Sequence, residues 1–384
     1  MTVTQITPGR FHHFHLARQM ERHGLLRKVY TGYPMFKLKD EQGIPSKKIT
    51  TFPWLQTPYM KRGLLGLDKF DILNKEWEWI GAQSLDKFVA KRIRNKGVVI
   101  ALSSAGLHSG RKMHSLGGKY ICDRGSSHIV FQNEILMEEY ERWGLKWKGI
   151  DQRIIDKELQ EYEQADYITI PSEFAKQTFI KSGVIASKIV KIPYGARLDR
   201  FKKISDPEKN VFSVLWVGAV NLRKGFMYAL EAFQKFEYVN KEFVVIGSMS
   251  PEIKSILNTR HLEDIIFKGT VPNDELIHHY NKANVFVFPS IEDGFGMVMA
   301  EAMACGCPVI ATTNTGAQDL ITDGLDGFVV PVRNEKTILE GFQKFVDNPN
   351  LRTEMSKNAL VKVQSLGGWN NYGDNYSSLI EKLK

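Results

Sequence analysis

The stretch Pro289 to Ala311, PSIEDGFGMVMAEAMACGCPVIA, restricts the fold of this chain more than any other. An apolar run, Val285 to Phe288, feeds it, and a second, Pro308 to Ala311, closes it. Between them lie Gly294-Phe295-Gly296 and a run of small residues ending at Gly306. The pattern predicts strand, tight turn, a helix beginning near Met297, turn, strand. That is the repeating unit of a parallel sheet covered by helices. Glycines let backbone N–H groups approach a ligand closely. A helix start adds unpaired N–H groups and the positive end of a dipole. Together these describe an anion site suited to a diphosphate. Glu301 falls within the helix, where a carboxylate can accept hydrogen bonds from ribose hydroxyls. Asp293 stands ahead of the turn, with Glu292 just before it.

The rest of the C-terminal half repeats this alternation. Val211 to Val217 reads as a buried strand, followed by Gly218 and the loop Ala219 to Gly225, then an amphipathic helix through Phe236. Strands follow at Phe243 to Ile246, before Gly247, and at Ile265 to Phe267, before the turn Gly269 to Pro272. A helix from Asn273 to Asn281 leads to Val285. Ligands of such sheets bind outside the carboxyl ends of the strands. Gly218, Gly247, Val271 in its turn and Gly294 all fall at such ends. Arg223-Lys224-Gly225 puts two cations at a helix start, an end where positive charge is unfavourable without a reason.

The N-terminal half is marked more weakly. Val3 to Thr7 is a first strand, turned by Pro8-Gly9-Arg10 and followed by a helix from Phe14 to His23. His12, His13 and His15 cluster there with no acidic neighbour in sequence, which favours solvent or acceptor contact over a metal. Val98 to Ser103 and Lys119 to Asp123 are further strands, and Asp123, Arg124, Ser126 and His128 follow the second. Residues between the first helix and Val98 read as irregular. Pro53-Trp54, Pro58-Tyr59, Lys61-Arg62 and Leu64-Leu65 mix aromatic, basic and apolar side chains. Two readings stand: a core-packed loop, favoured for want of a long amphipathic helix, or an interfacial membrane contact.

With 384 residues and 43% hydrophobic content, the chain supports two domains with full cores. Cys122, Cys305 and Cys307 lack metal spacing and are too few for a disulfide framework, so a reducing compartment is expected. The N-terminus lacks a long apolar stretch, and no run of eighteen apolar residues occurs. These features predict a cytoplasmic protein. Residues 1–200 hold 33 Lys and Arg against 21 Asp and Glu, net +12, whereas 201–384 hold 19 against 22, net −3. The asymmetry points to two surfaces with different partners, the basic one suited to an anionic membrane, a lipid-diphosphate acceptor or nucleic acid, or to none. The absence of any helix-turn-helix, zinc-finger or aromatic RNA-binding signature argues against nucleic acid.

Asp293-Gly294-Phe295-Gly296, then Glu301-Ala302-Met303-Ala304, Gly306 and Pro308-Val309, resembles the signature of retaining glycosyltransferases of family 4, the group 1 glycosyltransferases. The family usually has Glu at position 293, which leaves Glu292 and Asp293 as rival contacts to the donor sugar. The Ala165-Asp166 to Pro171-Ser172 segment is similar to the family too. The resemblance covers most of residues 160–370. It implies an α/β chain of two Rossmann-like domains facing across a cleft, the GT-B fold. The expected divisions are 1–203 for the acceptor, 204–366 for the nucleotide-sugar donor, and 367–384 as a helix crossing back.

The resemblance also implies roles. Lys224 and Asp293 are expected to be catalytic, with Arg223 either replacing an arginine that relatives carry at position 219, here Ala219, or unused. Donor contacts are implied at Gly9, Gly218, Lys224, Gly247, Val271, Gly294, Phe295, Gly296, Met297, Val298 and Glu301. Arg10, Asp123, Arg124, Ser126 and His128 are acceptor candidates. The expected reaction is transfer of a sugar from a nucleotide-diphosphate sugar to a saccharide or lipid-linked acceptor, with retention, in cell-surface polysaccharide or glycolipid assembly. No cofactor and no metal are expected, since no Asp-x-Asp motif is present and Lys224 with the helix dipole can replace an ion. Two alternatives stay open: a non-catalytic sugar-nucleotide-binding subunit, and a nucleotide-sugar epimerase of the same architecture.

Overall fold

The computed structural model describes all residues except 11, 63–69, 197–198 and 384. Seven strands form the first sheet: β1 (Val3–Thr7), β2 (Leu26–Thr31), β3 (Ile49–Thr51), β4 (Val98–Leu102), β5 (Lys119–Asp123), β6 (Tyr167–Ile170) and β7 (Ile189–Lys191). Six form the second: β8 (Phe212–Val217), β9 (Lys241–Ile246), β10 (Ile265–Gly269), β11 (Val285–Phe288), β12 (Val309–Thr312) and β13 (Gly327–Val330). The orders are β3-β2-β1-β4-β5-β6-β7 and β10-β9-β8-β11-β12-β13. Every pair is parallel, with β1 in register against β4 and β8 against β11. Chain order reverses at these two pairs. Each reversal opens a crevice at the strands' carboxyl ends, where ligands of open sheets bind.

β8 shows why such strands read as continuous apolar runs. Its six residues are all buried. Val214 and Trp216 enter the core on one face of the sheet, and Leu215 and Val217 enter the core on the other. A strand covered on both faces has no polar side to alternate with. β4 does the same in the first domain, where Val99 and Ala101 face one core and Val98 and Ile100 the other.

The stretch between the first helix and Val98 is not irregular. It contains β2, β3 and the helices Pro53–Met60 and Asp71–Ala90. Among the residues whose side chains are described, the long helix buries Leu85 and Val89, with Asp86 between them, near its C-terminal end. Lys75, Glu76 and Glu78 interrupt its earlier turns, so no apolar stripe runs its full length. The shorter helix buries no residue, and Trp54 and Met60 are 76% and 66% exposed. These side chains are therefore not core-packed. Leu64 and Leu65 lie outside the described residues.

The last helix, Gly368–Glu381, returns to the first domain. Tyr372, Tyr376, Leu379 and Ile380 join the core that holds Val3, Phe14 and Leu16. Gln19 donates to Asn370 Oδ1 at 3.2 Å, and Arg22 pairs with Asp374. The helices touch closely at Gly373, where a Cβ would overlap the side chain of Gln19.

Candidate active site

The turn after β11 is placed by two close backbone approaches. Gly225, just before the helix Phe226–Lys235, has a left-handed φ of 72°, and a Cβ there would overlap the Pro289 carbonyl oxygen. Glycine therefore lets the Lys224 loop lie directly on the β11 turn. Gly294 does the same across the cleft, where a Cβ would overlap the Gly125 carbonyl oxygen of the first domain. The Lys224 N–H donates to Asn221 Oδ1 at 2.9 Å, which pins the loop.

Lys224 Nζ is paired with Asp293 Oδ2, and Asp293 Oδ1 accepts the Phe295 N–H at 3.0 Å. Burial would raise the Asp293 pKa, but Lys224 and then Arg223 outweigh it and hold the carboxyl below its ordinary value. The helix Met297–Ala304 starts beyond this pair, capped by Gly296 at φ 79°, with Met297 42% exposed. Glu301 lies just over one helical turn further on and accepts a hydrogen bond from the buried Tyr280 hydroxyl at 3.3 Å. Gly218 and Gly247 close β8 and β9 at the same edge, while Val271 and Val298 pack against the neighbouring core.

Glu292 and Asp293 have separate places. Glu292 is fully buried and caged by both domains. Its Oε1 accepts from Ser126 Oγ at 2.6 Å, Ser127 N at 3.0 Å and Ser127 Oγ at 2.7 Å. Its Oε2 accepts from Gln132 Nε2 at 2.8 Å and Arg223 Nε at 2.9 Å. Burial opposes its charge, yet Arg223 and these donors keep its pKa far below the usual carboxylate range. Arg223, which the resemblance left either as a second cation or unused, is turned to Glu292 and to Ser126 Oγ at 3.3 Å. Asp293, beside Lys224, is the less enclosed carboxylate of the two, its side chain 16% exposed.

The acceptor candidates divide likewise. Arg124 is buried, and its guanidinium bonds to Ser127 O, Ser103 Oγ, Glu158 Oε1 and Gln132 Oε1 at 2.8–3.1 Å. It braces the loop and has no free face for an acceptor. His128 caps the helix Ile129–Arg142, accepting the Val130 N–H, and packs on Tyr162 and Phe179. Burial, reinforced by Arg124, pushes its pKa down to about 4, so it is a neutral cap and not a cleft residue. Ser126 is held by Glu292. Arg10 does face the cleft, 47% exposed and paired with Glu41 at 2.7 Å, and Gly9 lies in the same turn after β1.

The cleft between the domains is a cavity of about 1100 Å³ lined by Arg10, His12, His15, Arg18 and Trp369 on one side and Asn273 and Met297 on the other. His12 and His13 do have an acidic partner, brought by the fold. Asp123 Oδ2 is 2.6 Å from His12 Nε2 and 2.9 Å from His13 Nε2. The donor atoms of these three residues lie within 4.8 Å of one another. Separations this short are hydrogen-bond distances. Neither this cluster nor the Glu292 cage is marked in the sequence, since Asp123 lies 111 residues from His12 and Ser126 lies 166 residues from Glu292.

Residues 197–361 match the family described as Glycosyl transferases group 1. The chain is 34% identical over 163 residues to the capsular polysaccharide biosynthesis glycosyltransferase CapM of Staphylococcus aureus, a match covering 40% of this chain and 42% of that protein. It is 27% identical over 332 residues to an uncharacterized glycosyltransferase of Methanocaldococcus jannaschii, covering 81% and 75%. The chain spans about half the length of several such relatives, 42% of CapM and 55% of a 41.2 kDa protein from the cps region of Klebsiella pneumoniae. In three dimensions it resembles sucrose-phosphate synthase from Thermosynechococcus elongatus, with a TM-score of 0.73 at 18% identity, covering 100% and 99% of the two chains. HepE from Anabaena, in a crystal structure with UDP, superposes with a TM-score of 0.73 at 14% identity over the full length of both chains. The chain thus has two parallel-sheet domains in the GT-B arrangement, and its residues 197–361 are similar to the glycosyl transferases group 1 family.

Proposed function

We propose that this protein moves a sugar from a nucleoside-diphosphate sugar to an acceptor hydroxyl, with retention at the anomeric carbon and without a metal ion. The observation that carries the reading is the meeting of Lys224, Asp293, the helix start at Met297 and Glu301 at the carboxyl ends of β8 and β11. The helix start and Lys224 would hold the diphosphate, and Glu301 the ribose. The incoming diphosphate would take over Lys224 from Asp293, freeing that carboxylate toward the donor sugar. Negative charge grows on the phosphate as it departs, so a fixed ammonium there favours the transition state over the ground state. In a same-face reaction the departing phosphate oxygen can also receive the acceptor's proton.

The likeness to HepE, whose structure holds UDP, makes uridine sugars the first donors to try. The likeness to CapM favours polysaccharide assembly, with a saccharide or lipid-linked acceptor at the inner face of a membrane. The basic first domain and the exposed Trp54 and Met60 beside Lys61 support that placement, and among the described residues no helix is long and apolar enough to cross a membrane. The test is incubation with a panel of nucleotide sugars, following nucleoside-diphosphate release and product configuration by NMR. Release with a retained anomer supports the reading. Tight binding without release points to a binding subunit, and a changed sugar on intact donor to an epimerase.

A further inference from the structure

The His12 and Asp123 pair lies outside the donor machinery just described, yet its surroundings are built in detail. Asp123, at the end of β5, is 2% exposed. Its Oδ1 accepts from Thr169 Oγ1 at 2.9 Å, and Thr169 Oγ1 in turn accepts from Tyr376 OH at 2.8 Å. Tyr376 belongs to the returning helix Gly368–Glu381, so the chain's last element fixes this carboxylate. Burial opposes its charge, but the adjacent His12 first, and then its close neighbour His13, keep its pKa far below the ordinary value. It stays an anion.

An anion on Nε2 sets the tautomer of His12: the proton sits on Nε2 and the lone pair on Nδ1. His13 is fully buried, and reaches the same oxygen at 2.9 Å without hydrogen-bond geometry. His12 differs. It lines the cleft at 8% exposure. Tyr194 stacks on its ring at 4.5 Å between centroids and meets Phe295 edge-on at 5.4 Å. A Cβ on Gly125 would lie 3.3 Å from His12 Cε1, and Gly125 itself abuts Gly294. His12, Gly125 and the Gly294 turn are thus in successive contact, and Met297 opens onto the same cavity.

We propose that His12 is the base that receives the proton of the attacking acceptor hydroxyl, with Asp123 as the positioning residue that orients its ring. The proposal rests on the transferase reading and replaces the departing phosphate with a protein group as the proton's destination. The acceptor O–H bond breaks toward His12 Nδ1 while that oxygen's electron pair forms the bond to the anomeric carbon. The bond from that carbon to the phosphate oxygen breaks, and its electrons leave on the diphosphate. The imidazolium lies against Asp123, which stabilises it, and loses its proton to water once product departs. The groups facing His12 are Asp123 from β5, His13 from its own helix and Tyr194 from the segment after β7. Arg124 and Asp293 act on Tyr194 from behind. The nearest formal charge is therefore the carboxylate.

The test uses the full chain and whichever nucleotide sugar it hydrolyses, with water standing in for the acceptor hydroxyl. Wild-type kcat/KM should fall at acid pH as a single group becomes protonated. His12→Gln should remove that limb and lower turnover by about 10²–10⁴-fold, the usual range for a lost general base, while calorimetric affinity for the nucleoside diphosphate is unchanged. Asp123→Asn, which no longer fixes the Nε2–H tautomer, should lower kcat while leaving the affinity for the nucleoside diphosphate unchanged. It also serves if His12→Gln does not fold. A limb that stays in place in His12→Gln, or near-wild-type turnover in these variants, overturns the proposal and gives the proton to the departing phosphate, leaving the transferase reading intact. A wild-type protein that turns over no donor sinks the transferase reading and this proposal with it.

Discussion

On the proposed reading Lys224 and Glu301 act on different parts of a donor, so their losses should separate in kinetics. Lys224→Ala should lower kcat more than it raises KM, because charge on the phosphate peaks in the transition state. Glu301→Ala should cost about 1–3 kcal/mol in donor binding and abolish preference for a ribose over a 2′-deoxyribose donor. Steady-state kinetics with both donors checks the pair, and wild-type behaviour in both folded variants removes the assignment. His128 gives a pH prediction. Its pKa falls from 6.5 to about 4 on folding, so below pH 6.5 the unfolded chain takes up a proton that the folded chain refuses. Stability is full above pH 6.5 and declines as pH falls toward 4, by about 2–3 kcal/mol in total. Denaturant titrations should show this slope flattened in His128→Asn, which keeps a capping side chain. An unchanged slope would count against the buried neutral cap.

At the scale of elements, Glu292 and its donors join the Arg223 loop to the loop after β5, and Arg223 also reaches Ser126 there. Removing Arg223 leaves a buried carboxylate without its cation, a loss of about 3–5 kcal/mol. Arg223→Ala should therefore lower Tm markedly, and Arg223→Ala with Glu292→Gln should lose less than the sum of the single changes. An additive cycle would show that the pair is not coupled. The returning helix is as exposed to a small change. A methyl at Gly373 meets Gln19, so Gly373→Ala should cost about 1–3 kcal/mol through overpacking. It should also lower turnover, because Tyr376 on the same helix holds Thr169 and hence Asp123.

For the whole molecule, net charge of +12 in the first 200 residues against −3 in the rest makes association with anionic surfaces the natural expectation. Arg62 is occupied, donating to the Tyr59 carbonyl at 2.9 Å and lying 3.7 Å over its ring, which leaves Lys61 as the exposed cation of that helix end. Sedimentation should show binding to anionic but not neutral vesicles, weakening as salt rises. Lys61→Glu and Trp54→Ala should each reduce it, the former by about 1 kcal/mol for the lysine lost. Equal indifference to both vesicle types would favour a soluble acceptor.

The sequence by itself determined what depends on neighbours in the chain. Apolar runs that lack alternation announced β8 and β11, because a strand covered on both faces has no polar side. Gly294 to Gly296 and Glu301 announced the turn and helix start, whose anion-binding character follows from local backbone geometry. What failed to show was whatever needs a distant partner or weak periodicity. β2, β3 and the helix Asp71–Ala90 are short, edge-lying or only partly packed, so no repeating apolar face marks them. Nothing near Arg223 in sequence says that Glu292 and Ser126 will claim it, and nothing near His12 names Asp123, 111 residues away. Only the folding of parallel strands, which carries residues from distant segments to one sheet edge, decided which charges face the cleft and which are neutralised inside it.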